Sequence, residues 1–219
     1  MNAWRAASAV LLGLVGITAG CNLIGPIAYY LQPKQIQKPE YEFPAGTRVA
    51  LVIEARDPQH ENPVFSEALY ERVVAMLRDG KSEATILPWR KVTELRYANA
   101  DFARWSLQKV GRALGADQVL YLSIDRLVIR PSPEHPVLTP EVDLHMKLIG
   151  VHEPPLNARI WPEAKEGHHV SCKRLIGEAA DTNPDAADIE ARKLGYDTAY
   201  WVTTPFIEVD LEEKPPVER

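Results

Sequence analysis

Apolar and polar positions along this chain fall into segments with two different periods. From Arg48 to Ala55, Val49, Leu51 and Ile53 point one way in an extended backbone, and Ala50 and Val52 the other. Apolar side chains on both faces predict a strand covered on both sides, in the middle of a sheet. The period then lengthens. Phe65, Leu69, Val73 and Met76, with Leu77, recur at helical spacing, while Glu67, Glu71 and Arg78 lie off that stripe. Asn62-Pro63 supplies an N-cap followed by proline at the first helical position, and Gly80 a stop. Ala84–Pro88 predicts a short second strand and Trp89–Tyr97 a short helix. Asn99 or Asp101 caps the next helix, with Ala103, Leu107, Val110 and Leu114 inward, Arg104, Gln108 and Arg112 outward, and Gly115 at its end.

The longest strand signal runs from Gln118 to Arg130, with Val119 to Leu122 apolar without a break. A turn carrying Pro131, Pro133, Pro136 and Pro140 leads into Val142–Val151. There Leu144, Met146 and Leu148 alternate with His145 and Lys147, giving one dry and one wet face, as in an antiparallel neighbour. Asn157–Trp161 and His169–Leu175 predict two more strands. Asn183-Pro184 caps a last helix, with Asp185 and Asp188 near its positive end. Ala187, Ala191, Leu194, Thr198 and Trp201 form its inward stripe, and Pro205 stops it. Strands separated by helices, followed by antiparallel strands, predict an α/β fold. It is a sandwich of two or three layers with a mixed β-sheet: crossover helices, central parallel strands and antiparallel C-terminal strands. The crossovers are expected to be right-handed.

Ahead of this domain, Ser8–Gly20 is apolar, ends in small residues and follows Arg5 and the free amine. The run is too short to span a bilayer and reads as an export signal. Thr18-Ala19-Gly20-Cys21 resembles the bacterial lipoprotein box, with Thr18 where that pattern most often has Leu. The resemblance implies cleavage before Cys21, a diacylglyceryl thioether on Cys21 and an acylated new amino terminus. An ordinary secretory signal is the alternative. Gly25, Pro26, Pro33, Pro39, Pro44 and Gly46 then punctuate a tether. The expected organisation is a lipoprotein signal peptide over 1–20, lipidated Cys21 and a Pro-rich tether over 21–46, one α/β domain over 47–206, and an acidic, proline-containing tail over 207–219. In proteobacterial lipoproteins an Asp after the lipidated Cys favours the inner membrane. Asn22 stands there in this chain, which points to the outer membrane and the periplasm.

Composition narrows the picture further. A chain of 219 residues buries enough surface to fold without disulfides. Two cysteines are present, and lipid on Cys21 leaves Cys172 without an intramolecular partner, so no disulfide is expected. The formal net charge of −5 becomes −6 once Arg5 leaves with the signal, which argues against non-specific nucleic-acid binding. No later segment is long and apolar enough to span a membrane.

Leu114-Gly-Ala-Asp-Gln-Val-Leu-Tyr-Leu-Ser-Ile124, a helix ending in Gly-Ala-Asp and running straight into an apolar strand, carries a second resemblance. With the first strand and long amphipathic helix before it, this stretch resembles the superfamily with the TolB amino-terminal fold. That group includes penicillin-binding-protein activator lipoproteins of the LpoB type and the curli-secretion lipoprotein of the CsgG type. The likeness extends over roughly residues 47–206 and implies a TolB amino-terminal-like sandwich. Gly-Ala-Asp also has a local cause, since Gly115 ends a helix and Asp117 suits the turn before a strand.

Candidate chemistry is sparse. His168-His169-x-x-Cys172 has metal-ligand residue types, but a zinc site needs at least three convergent ligands. Adjacent histidines on a strand point to opposite faces, as do His169 and Cys172. Cys172 reads as a small buried thiol, because Lys173 and Arg174 are basic neighbours without a His-Asp pattern to activate it. No nucleophile elbow, phosphate-cradling glycine loop or His-Glu-x-x-His occurs. Asp57, His60 and Glu61 follow a central strand, at the end where open α/β sheets bind ligands, and form the candidate binding loop. Trp89, Trp105, Trp161 and Trp201 read as packing residues. The expectation is a lipid-anchored, periplasm-facing, non-catalytic protein-interaction module with no cofactor, no metal and no catalytic residues. Its partners are the membrane, through lipid on Cys21, and another envelope protein or its own copies. A subunit of an oligomeric secretion or transport apparatus and an envelope hydrolase are the alternatives.

Overall fold

The computed structural model describes residues 36–132, 137–174 and 185–210. Strand β1 (Arg48–Ala55) lies between β2 (Thr85–Ile86) and β3 (Gln118–Val128), parallel to both. Strand β4 (Glu141–Gly150) runs antiparallel beside β3. Its far edge is shared by β5 (Arg159–Trp161) and β6 (His168–Lys173), each antiparallel to it. Central parallel strands followed by antiparallel ones are thus the observed topology, in the order β2-β1-β3-β4-β5 with β6 also on β4. Ile36–Gln37 and Val209–Asp210 pair in a separate two-stranded ladder. Residues 37–209 form one compact unit among the described residues; Ile36 and Asp210 belong to a second, none of whose other residues is described.

Helix α1 (Pro63–Asp79) starts where the Asn62 side chain accepts from the Phe65 N–H, with Pro63 at a position that needs no donor. Gly80 closes it, but the left-handed turn falls on Lys81 at φ 58°. Helix α2 (Trp89–Ala98) follows β2. Helix α3 (Leu107–Leu114) departs from its sequence pattern. Its cap is Ser106, whose hydroxyl accepts from the Lys109 N–H, rather than Asn99 or Asp101. Those two flank a 3-10 turn, Phe102–Arg104, which leaves Ala103 exposed and buries Phe102. Gly115 ends α3 in the left-handed region at φ 68°, where a side chain is disfavoured. Helix α4 (Ala186–Thr203) has its expected cap, Asn183-Pro184, outside the described residues. Its buried stripe contains Ala191, Leu194 and Thr198 as expected, and adds Gly195, Ala199 and Val202.

Two cores make this a three-layer sandwich. On one face of the sheet, Val49, Leu51, Ile53, Leu120, Leu122, Ile124, Leu144 and Met146 meet Phe65, Leu69 and Val73 of α1 and Leu194 of α4. On the other face Ala50, Val52, Val119 and Ile149 meet Val92 of α2 and Val110 of α3. Helices α1 and α4 approach so closely that a Cβ on Gly195 would sit 2.7 Å from the Phe65 carbonyl oxygen. The turn that carried the second resemblance is a clamp. Asp117 accepts from the Arg48 backbone N–H at 2.9 Å and from its guanidinium, fixing the start of β1 to the start of β3. Part of the stretch read as tether belongs to the body. Phe43 is buried, Tyr41 and Phe43 pack on Phe206, and Glu40 and Tyr41 N–H groups donate to the Pro205 carbonyl. No helix among the described residues is long and apolar enough to cross a membrane.

Candidate functional site

Among the described residues, α2 and α3 cover one end of the sheet face beneath them. The strand registers set its side chains in rows. Ala50, Val119 and Ile149 make an apolar row in the second core. Val52, Tyr121 and Lys147 follow, then Glu54, Ser123, His145 and His169. Asp143 and Ser171 come next, with Arg126 opposite Asp143. The covering elements stop near Arg96 of α2, which donates to the Ile53 carbonyl at 3.1 Å and reaches Glu54 at 3.5 Å.

A bulge shapes the open part. The β3–β4 register shifts between Ile124 and Arg126, so Asp125 is an extra residue in β3. Strict alternation would place Leu127 with Ser123 and Asp125 on the polar face. The extra residue instead returns Leu127 to the first core, where it is buried, and leaves Asp125 free to reach its neighbours. Arg56 meets one Asp125 oxygen at 3.0 Å, and His145 Nδ1 pairs with the other. The His145 and His169 rings lie 5.0 Å apart, and His169 Nε2 is 3.6 Å from Asp143. Arg126 pairs with Glu141 at 2.7 Å. Burial, with Glu54 nearby, pushes the Tyr121 phenol up. Burial first, then Arg159 and Arg56, holds the Lys147 ammonium below the usual lysine range.

The expected binding loop borders this surface. Asp57 Oδ1 accepts from the Gln59 N–H and caps the 3-10 turn Pro58–His60, so its work is in shaping the loop. His60 Nδ1 lies 3.2 Å from the Leu127 carbonyl oxygen, which puts the proton on that nitrogen and ties the loop to β3. His60 and Glu61, with Gln59 and Asn62, form one wall of a groove of about 350 Å³, and Leu127–Pro131 the other. The groove opens at the carboxyl ends of the parallel strands β1 and β3.

The remaining candidates are dispersed. His168 stacks on Trp161 at 5.1 Å, while His169 lies on the opposite face beside His145. Cys172 is fully buried, and burial pushes its thiol up. Among the described residues, no group of three or more His, Cys, Asp or Glu side chains is placed to hold a metal ion. Trp161 is buried and donates to Glu40 at 3.2 Å; Trp89, Trp105 and Trp201 are half-buried. Cys21 lies outside the described residues. The Arg56–Asp125–His145 network escaped the sequence reading. Its one signal was a charged pair, Asp125-Arg126, set between the apolar Ile124 and Leu127 of a long strand.

No protein-family model and no curated protein matches the sequence. Solved structures similar to the chain include the PelC dodecamer from Paraburkholderia phytofirmans, at 16% identity over 79% of this chain and 95% of that one, with a TM-score of 0.41. Lipoprotein GNA1162 from Neisseria meningitidis is similar at 15% identity over 72% of this chain and 99% of that one, TM-score 0.41. The resemblance drawn from Leu114–Ile124 points to the superfamily with the TolB amino-terminal fold, which includes the LpoB and CsgG types. The LpoB C-terminal domain from Salmonella enterica is among the structures similar to this chain, at 16% identity over 59% of it and 83% of that domain, TM-score 0.34.

Proposed function

We propose that this protein is a lipid-anchored, non-catalytic interaction module of the bacterial cell envelope, facing the periplasm from the outer membrane. Its docking surface is the open sheet face together with the adjoining groove. One observation carries this reading: among the described residues beyond α2 and α3, charged side chains on four strands hold one another in fixed rows and stay partly exposed. Such bracing lowers the ordering cost of association, and mixed charge in a set pattern favours a partner with the complementary one. The signal-like leader and Cys21 support the envelope address.

The test is site-specific photocrosslinking in intact cells with the full chain. Probes at Glu61 and Lys173 sample the groove and the open face; a probe at Arg78, exposed near the end of α1, samples the far side. Discrete protein adducts from Glu61 and Lys173, but not from Arg78, are expected. Adducts between two copies of the chain would instead assign it to an oligomeric apparatus. Adducts from Arg78 alone would overturn the choice of surface.

A further inference from the structure

Three cations of the open face are answered by an acid: Arg56 by Asp125, Arg126 by Glu141 and Arg96 by Glu54. Lys147 and Arg159 are not. The Lys147 ammonium stands 5.1 Å over the Tyr121 ring, and the Arg159 guanidinium donates to the Ala164 carbonyl at 2.6 Å. Neither has a carboxylate partner among the described residues. The register brings the two together. Lys147 lies across from Tyr121, and Arg159 is the strand partner of Ile149, two positions along β4 and next to a shift in the β4–β5 register. Half-burial strips water from the Lys147 charge, and Arg159 and Arg56 repel it. Below it lies the half-buried Tyr121 ring, the floor of the cluster.

A charge that is partly desolvated, repelled by like charges and without a counter-ion is a cost to the folded chain, and a bound anion removes it. We propose that Lys147 and Arg159, with Arg56 at the margin, bind a phosphoryl group. Two cations with a third nearby suit a group that spreads negative charge over several oxygens. Lysine supplies a compact charge, and arginine a planar fork of donors that matches phosphate. The Tyr121 ring closes one side. A free phosphate and a phospholipid headgroup present the same chemistry. This site stands whether or not a protein partner docks on the same face.

The experiment uses the full-length protein in neutral detergent micelles and a limiting amount of an amine-acylating reagent. Mass spectrometry compares labelling of Lys147 with that of exposed Lys91. At inorganic phosphate about ten times above its dissociation constant, mass action predicts about tenfold protection of Lys147 with Lys91 unchanged. The Arg159→Gln variant should lose most of that protection and Arg159→Lys keep part of it. Protection by phosphatidylglycerol mixed into the micelles, but not by inorganic phosphate, would assign the site to a lipid headgroup. Equal protection by sodium chloride and sodium acetate at matched ionic strength would mean screening alone and overturn the proposal. So would unchanged Lys147 labelling in both arms.

Discussion

Single positions show where this chain accepts a cost. Gly195 lies where α4 crosses α1, and a methyl group there would press on the backbone of Phe65 and Leu69 at 2.7 and 2.9 Å. Backbone cannot swing aside as a side chain can, so the helices must separate. Gly195→Ala should cost about 1–3 kcal/mol in urea unfolding, although alanine is the better helix former. Lys147 carries a cost of another kind. Its folded pKa is lowered, so the unfolded chain binds that proton more tightly, and stability from this residue rises with pH between the folded pKa and the ordinary value of 10.5. Lys147→Met should therefore unfold at higher urea than the parent at neutral pH. The gap should close as pH rises through the lowered pKa, and a gap constant with pH would show that packing, not charge, was the cause. Cys172 is inert for related reasons, with a buried thiol held away from the thiolate form.

At the scale of elements, the last strand and last helix are joined by one basic side chain. Arg174, just past β6, meets Glu190 at 3.2 Å and pairs with Asp197 of α4. Both acids are largely buried; Glu190 keeps Lys193 at 2.7 Å, but Arg174→Ala leaves Asp197 without its cation in a poor solvent. A loss of about 3 kcal/mol is expected, with Arg174→Lys recovering only part because it lacks the fork. The clamp at Asp117 behaves differently. It is exposed, and the Arg48 guanidinium holds its carboxyl below the usual range, so its contribution is present above pH 3.8 and lost as pH falls through the lowered value. Asp117→Asn should flatten the acid limb of a pH–stability curve, and added salt should do likewise. Elements with one dominant local signal were legible in the sequence: β1 from its two apolar faces, and α1 from Asn62-Pro63 and its stripe. α3 was not, because Asn99, Asp101 and Ser106 are all good caps, and burial of Phe102 chose among them. The wet face of β4 was read from His145 and Lys147. Its partner Asp125 was not, because a bulge breaks the alternation on which such reading depends.

For the whole molecule, the placement of the body's ends bears on reach. The chain runs into β1 at Arg48, the amino end of the parallel strands, while the groove between His60 and Leu127 opens past their carboxyl ends. Eight strand residues separate these ends by about 25 Å. Residues 40–46 pack against the body, so the proposed anchor lies no farther from Gln37 than the stretch from Cys21 can reach. Fully extended, it spans at most about 58 Å. A partner held at a fixed height above the bilayer is then met only if this segment is long enough, and the effective concentration falls steeply once it is not. Removing residues 26–35 should abolish the Glu61 crosslink in intact cells and leave binding of the same variant in detergent unchanged. An undiminished crosslink would mean that the partner moves with the membrane surface rather than standing off it. Loss of binding in both settings would mean that the removed residues touch the partner themselves. Cys21→Ser, which removes the thiol that would carry the lipid, should shift the protein into the soluble periplasmic fraction while detergent-independent binding persists. A Cys21→Ser chain that stays on the membrane would disprove the anchor, and the argument from reach would go with it.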